Sequence, residues 1–115
     1  MKDILVIEDD HNILKMIDLA LTHHGYDVKI AHNGSEGIEL LNNDSRFNLV
    51  ITDIRMPVAD GNQVAKHIRN NEKTHKTPII AVSAYTGDAE KGLFDSILAK
   101  PFKIKELIEL ITSFA

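Results

Sequence analysis

A chain of 115 residues fits one domain, residues 1–115, long enough to bury a core, and any activity is expected to reside in it. The mild acidic balance (formal net charge -4) and the lack of any apolar stretch of bilayer-spanning length speak against nucleic acid and membrane as partners. With no cysteine, and with Met1-Lys2 leading straight into an apolar run rather than a secretory segment, the expected compartment is the cytoplasm.

Ile4-Leu5-Val6-Ile7 reads as a strand buried on both faces, and it runs directly into three acids, Glu8-Asp9-Asp10. Over residues 11–24 the apolar positions Ile13, Met16, Ile17, Ala20 and Leu21 recur at helical spacing, with Asp10 as the expected N-cap and Gly25 as the stop. Residues 26–31 alternate as a strand does. Asn33-Gly34 then turns the chain, and Ile38, Leu40 and Leu41 mark a shorter helix for which Ser35 is the expected cap. Residues 49–52 are a third, buried strand, and Asp53 stands at its C-terminal tip.

The loop after Asp53 ends at Asp60-Gly61. Asp60 with Gln63 has the pattern of a capping box opening a helix over about residues 60–71. Lys66, Arg69, Lys73 and Lys76 gather here, but Glu72 interrupts them and no aromatic is interleaved, so a solvated helix end is the better reading than a nucleic-acid surface. Ile79-Ile80-Ala81-Val82 is the fourth strand, ending at Ser83. In residues 86–94, Gly87 and Gly92 bracket only four residues, which predicts at most about two helical turns. Ile97-Leu98-Ala99 is the fifth strand, ending at Lys100, and Ile104, Leu107, Ile108 and Ile111 give a final helix at i, i+3, i+4, i+7.

Strands alternating with helices predict an α/β domain, a doubly wound parallel sheet of five strands with right-handed crossovers. In such a sheet all strand tips lie on one edge, so Glu8, Asp9, Asp53, Ser83 and Lys100 are expected to converge. Three carboxylates beside an apolar sheet call for a counter-charge. A hard cation such as Mg2+, taking oxygen ligands and phosphate oxygens together, is the natural one. Asp53 would then be a nucleophile toward a phosphoryl group, with Lys100 and Ser83 holding the phosphoryl oxygens. Each residue alone has an ordinary structural reading: Glu8 and Asp9 favour a helix dipole, Asp53 and Ser83 suit turns, and Lys100 can lay its stem on apolar surface. The joint convergence argues for a site. The six histidines include no i, i+4 pair and read as satisfied or solvated.

These residues together resemble the response-regulator receiver domains of two-component signalling, of the chemotaxis-regulator type. The resemblance covers the whole chain and rests on Glu8-Asp9, on Asp53-Ile54-Arg55-Met56-Pro57 with Asp60-Gly61, on Ser83-Ala84, and on Lys100-Pro101-Phe102. It implies a flavodoxin-like fold of strand order 2-1-3-4-5, a cis peptide at Lys100-Pro101, and Mg2+ (or Mn2+) held by Glu8, Asp9, Asp53 and the backbone carbonyl of Arg55. It implies further that Asp53 accepts a phosphoryl group from a phosphohistidine on a sensor histidine kinase or histidine phosphotransfer protein and later loses it to water, with no external substrate. The phosphorylated state would alter binding to a downstream protein or a covalently linked output domain, and a weak homodimer is compatible with it.

The chain departs from the family pattern in two places. Ile97 stands where members usually carry an aromatic, and the connection from Ser83 to Lys100 is shorter than usual, which curtails the fourth of the family's helices. Other functions fit the residues less well, a small flavin carrier least, since the acids after the first strand would repel its phosphate. A metal-dependent hydrolase with an aspartyl-phosphate intermediate would want a second acid two residues after the nucleophile, where this chain has Arg55. An interaction domain indifferent to phosphate would have lost the acid pair, Asp53 or Lys100, and all are present.

Overall fold

Five short aliphatic, β-branched runs become the strands of one parallel sheet in the computed structural model, which describes residues 3–44 and 46–114. The elements follow as β1 (Asp3–Ile7), α1 (His11–His23), β2 (Asp27–Ala31), α2 (Gly34–Asn43), β3 (Leu49–Asp53), α3 (Gly61–Arg69), β4 (Ile79–Ser83), β5 (Ser96–Ala99) and α4 (Ile104–Ser113). The strand order is β2-β1-β3-β4-β5, as the resemblance implies. In register, Ile7 lies opposite Ala31 and Thr52, Asp53 opposite Val82, and Ser83 opposite Ala99, which brings the C-terminal tips level along one edge.

Because side chains alternate across a strand, the central strands feed two cores. Ile4, Val6, Ile51, Ile80 and Val82 pack with Leu14, Ile17 and Leu21 of α1 and with Leu107 and Ile111 of α4. Leu5, Ile7, Val50 and Ile79 pack on the other face with Leu41 of α2 and with Val64, Ala65 and Ile68 of α3. Each Val, Leu or Ile among them, fully buried, contributes roughly 1.5–3 kcal/mol relative to exposure. The buried face of α1 is Leu14, Ile17 and Leu21; Met16, expected there, is 41% exposed. At 100° per residue the set i, i+3, i+7 spans about 60° and centres near Leu21, and Met16 lies about 130° away from that centre, toward solvent.

The caps follow local chemistry. Asp10 caps α1 by accepting from the amides of Asn12 and Ile13, and Gly25 leaves the helix at φ +90°. Asp60 and Gln63 complete both halves of the capping box at α3. At α2 the expectation of Ser35 is corrected: Asn33 is extended, its side chain accepts from the Glu36 amide at 2.8 Å, and Ser35 lies inside the helix.

Between β4 and β5 the crossing contains one 3-10 turn, Thr86–Asp88, and no α-helix, so the shortening anticipated from Gly87 and Gly92 goes to its limit. The resulting strap is tied to α3 by polar side chains on one helical face. Asn62 donates to the Asp88 carbonyl at 2.8 Å and accepts from the Glu90 amide at 2.9 Å. Lys66 pairs with Glu90 at 2.9 Å, and Arg69 donates to the Leu93 carbonyl at 3.0 Å and to Asp95 at 2.7 Å. Leu93 and Phe94 pack against the second core. Among the described residues no helix is long and apolar enough to cross a membrane.

Candidate functional site

β3 ends in Asp53, buried to 8% exposure at the tip of a strand buried throughout. The carboxylate is fixed from two sides: one oxygen accepts from the Ile54 amide at 2.8 Å, and the other accepts from Lys100 Nζ at 3.1 Å. The loop then returns tightly, with the Gly61 amide donating to the Ile54 carbonyl at 2.7 Å. A Cβ at position 61 would sit 2.2 Å from the Asp53 carbonyl oxygen, so only glycine lets α3 start this close to the acid. Val58, in the same loop and exposed, turns the chain at φ +72°.

β1 ends beside β3 and delivers Glu8, 2% exposed, and Asp9, which is exposed. One Glu8 oxygen accepts from Lys100 Nζ at 2.7 Å and the other from the Asp10 amide at 3.1 Å. Burial pushes the Glu8 carboxyl up to about 7, with Lys100 pulling against it and neighbouring Asp53 adding to the rise. Burial alone would lower Lys100, but the hydrogen bond and charge of Glu8, followed by the charge of Asp53, outweigh it and hold the ammonium above the ordinary lysine value. Oxygens of Glu8, Asp9 and Asp53 all lie within 4.8 Å of one another. This donor set is oxygen only, without imidazole or thiolate, and suits a hard ion of the magnesium type.

Ser83, 1% exposed at the tip of β4, has its hydroxyl donating to the Tyr85 carbonyl at 2.9 Å and accepting from the Tyr85 amide at 3.1 Å. The Lys100 amide donates to the Ser83 carbonyl at 2.8 Å, which locks β5's tip to β4's, and the Lys100-Pro101 peptide is cis. The tips of β1, β3, β4 and β5 thus meet on one edge. Arg55 is the expected member whose side chain points elsewhere: it pairs with Asp88 of the strap and lies 4.5 Å over the Tyr85 ring. Asp60 is engaged as the cap of α3.

Sequence reasoning did not foresee the Arg55–Asp88 and Arg55–Tyr85 contacts, which join the loop after Asp53 to the loop after Ser83. Nor did it foresee that Lys100 bridges Glu8 as well as Asp53. Their separations in sequence carry no local periodicity that would have signalled either. His11 and His32 also meet, from α1 and from the end of β2, with ring centroids 5.6 Å apart.

A family model described as a response regulator receiver domain matches residues 4–112. The response regulator ArlR of Staphylococcus saprophyticus is 34% identical over 116 residues, covering 96% of this chain and 51% of that protein. The chain spans about half the length of the curated relatives it matches. Among solved structures, the chemotaxis protein CheY4 of Vibrio cholerae superposes with a TM-score of 0.92 at 26% identity, covering 100% of this chain and 99% of that one. The response regulator TrrA of Thermotoga maritima, solved in complex with Mg(2+)-BeF, does so with a TM-score of 0.89 at 32% identity over the whole of both chains.

Proposed function

The chain belongs to the response regulator receiver domain family, and from that premise we propose that Asp53 is its phosphoacceptor, with Lys100 and Ser83 as the groups that hold the phosphoryl oxygens. Receiver domains of response regulators act in two-component signalling and pair with histidine kinases. For this chain the donor is a phosphohistidine on a sensor kinase or phosphotransfer protein. The bond between phosphorus and the imidazole nitrogen breaks as a bond to an Asp53 carboxylate oxygen forms, and the imidazole leaves with the electron pair.

The observation that carries this reading is the convergence on Asp53 of two further carboxylates and the Lys100 ammonium, with Ser83 at the tip of the adjoining strand. Glu8, Asp9, Asp53 and the Arg55 carbonyl would hold Mg2+, or Mn2+ in its place; the ion supplies charge neutralisation for the phosphoryl oxygens. Lys100 already touches Asp53, so its ammonium is positioned to follow a phosphoryl oxygen while keeping Glu8 paired. The Ser83 hydroxyl must give up its donation to the Tyr85 carbonyl in order to reach the phosphoryl group, which releases the Tyr85 loop and its contact with Arg55. Hydrolysis of the aspartyl phosphate then resets the domain, without an external substrate.

The phosphorylated form signals to a downstream protein or a linked output domain, with weak self-association compatible with either, and it acts in the cytoplasm. The test is intact mass after incubation with a small phosphodonor and Mg2+. The parent should gain one phosphoryl group and Asp53→Ala none; undiminished labelling of the variant would refute the assignment.

A further inference from the structure

We propose that His11 and His32 form a second cation site, one that selects a borderline divalent ion of the zinc, nickel or copper(II) type and is distinct from the all-oxygen pocket. His11 opens α1 and His32 directly follows β2, so the two imidazoles come from different elements and no helical spacing links them. Their rings stack with centroids 5.6 Å apart and an interplanar angle of 19°. Both are exposed, so rotation about the side-chain torsions can turn a nitrogen of each toward one ion, with water completing the coordination.

His32 carries a second mark of a ligand. Its Nδ1 lies 3.3 Å from Glu36 Oε1 in the first turn of α2, which leaves Nε2 as the nitrogen to meet an ion. A carboxylate on the far nitrogen fixes the ring's tautomer and orientation and strengthens the outward nitrogen as a donor. Of the other histidines, His24 has Nδ1 on the Ala20 carbonyl at 2.9 Å, His67 has Nε2 on Asn42 at 3.0 Å, and His23 meets its neighbour His24 edge to face. Among the described residues, the groups of three or more ligating side chains comprise only Glu8, Asp9 and Asp53, so the histidine site has two protein ligands and stays open to solvent. Donor chemistry separates the two sites: carboxylates favour hard ions, and imidazole favours the later transition metals and zinc. This inference is independent of the phosphoacceptor assignment.

The experiment titrates Zn2+ into the whole chain in saturating Mg2+, followed by calorimetry and by the histidine ring resonances. One equivalent of zinc should shift the rings of His11 and His32 together, ahead of His23, His24, His67 and His75. His11→Ala and His32→Ala should each weaken binding by tenfold or more, Glu36→Gln should weaken it about tenfold, and Asp9→Asn should weaken it less than either alanine variant. Exposure of both rings means the alanine variants should keep the parent amide spectrum, and that spectrum verifies it. Zinc affinity unchanged in both histidine variants, or binding that vanishes in Asp9→Asn, would overturn the proposal.

Discussion

Lys100 Nζ lies 2.7 Å from the buried Glu8 carboxylate and, with the same ammonium, 3.1 Å from Asp53, so the fifth strand's cation is shared between the first strand's acid and the third's. The sharing is incomplete compensation, because burial still raises Glu8 to about 7. Without a second cation the pocket is short of positive charge near neutral pH.

A carboxyl whose pKa rises from 4.5 to about 7 on folding keeps a proton in the folded chain that the unfolded chain sheds between those values. Its contribution to stability is therefore complete below about pH 4.5 and is lost as pH rises to about 7, an effect on the order of 3 kcal/mol. Glu8→Gln has no such titration. In chelator-treated buffer the parent should lose stability relative to Glu8→Gln across that window, read as the difference in urea midpoints. Parallel pH profiles for the two proteins would contradict the assignment.

Magnesium should stabilise the parent by relieving the same excess of carboxylate, roughly 2.7 kcal/mol at a concentration one hundred times the dissociation constant. Asp9→Ala removes the exposed carboxylate of the set and should abolish most of that gain. Thermal melts across a magnesium titration measure it, and equal shifts for both proteins would count against the metal assignment.

Gly61→Ala places a methyl 2.2 Å from the Asp53 carbonyl oxygen and 2.8 Å from the Ile54 Cα, both backbone atoms that can yield only by moving the acid. The expected cost is about 1–3 kcal/mol, with slower phosphorylation. At Gly87 an added Cβ meets nothing within 4 Å, so Gly87→Ala should change stability by no more than about 0.5 kcal/mol. Equal effects at the two positions would show that the close approach at Gly61 does not constrain the site.

Much of this site was legible because it sits where hydrophobic patterning ends. Ile4 to Ile7, Leu49 to Ile51 and Ile79 to Val82 announce buried strands, and Glu8, Asp53 just beyond Thr52, and Ser83 fall on the same edge once the sheet is parallel. The Asp60–Gln63 box was readable because it is local. Asn33 was passed over for Ser35 because both are capping residues, and only the backbone's extended conformation at Asn33 decides between them. The ladder of Asn62, Lys66 and Arg69 was hidden for another reason: its partners lie on an irregular strap with no period of its own, so the basic side chains read as a solvated face.

Asn62→Ala tests that ladder. It removes both hydrogen bonds that pin the strap beside the 3-10 turn, each worth about 1 kcal/mol. The Glu90 amide should then exchange roughly 5–30 times faster, while amides in the middle of α1 keep the parent rate. Exchange at Glu90 as slow in the variant as in the parent would mean that the strap is held by Leu93 and Phe94 instead.

Chemical trapping shows most directly whether Asp53 alone takes the phosphoryl group. Borohydride reduces an aspartyl phosphate to homoserine, so the chain is incubated with a phosphodonor and Mg2+, reduced, digested and mapped by peptide mass. The account predicts homoserine at position 53 in the parent and at no position in Asp53→Ala. Homoserine at Glu8's neighbour Asp9, or anywhere else with residue 53 unmodified, would contradict it.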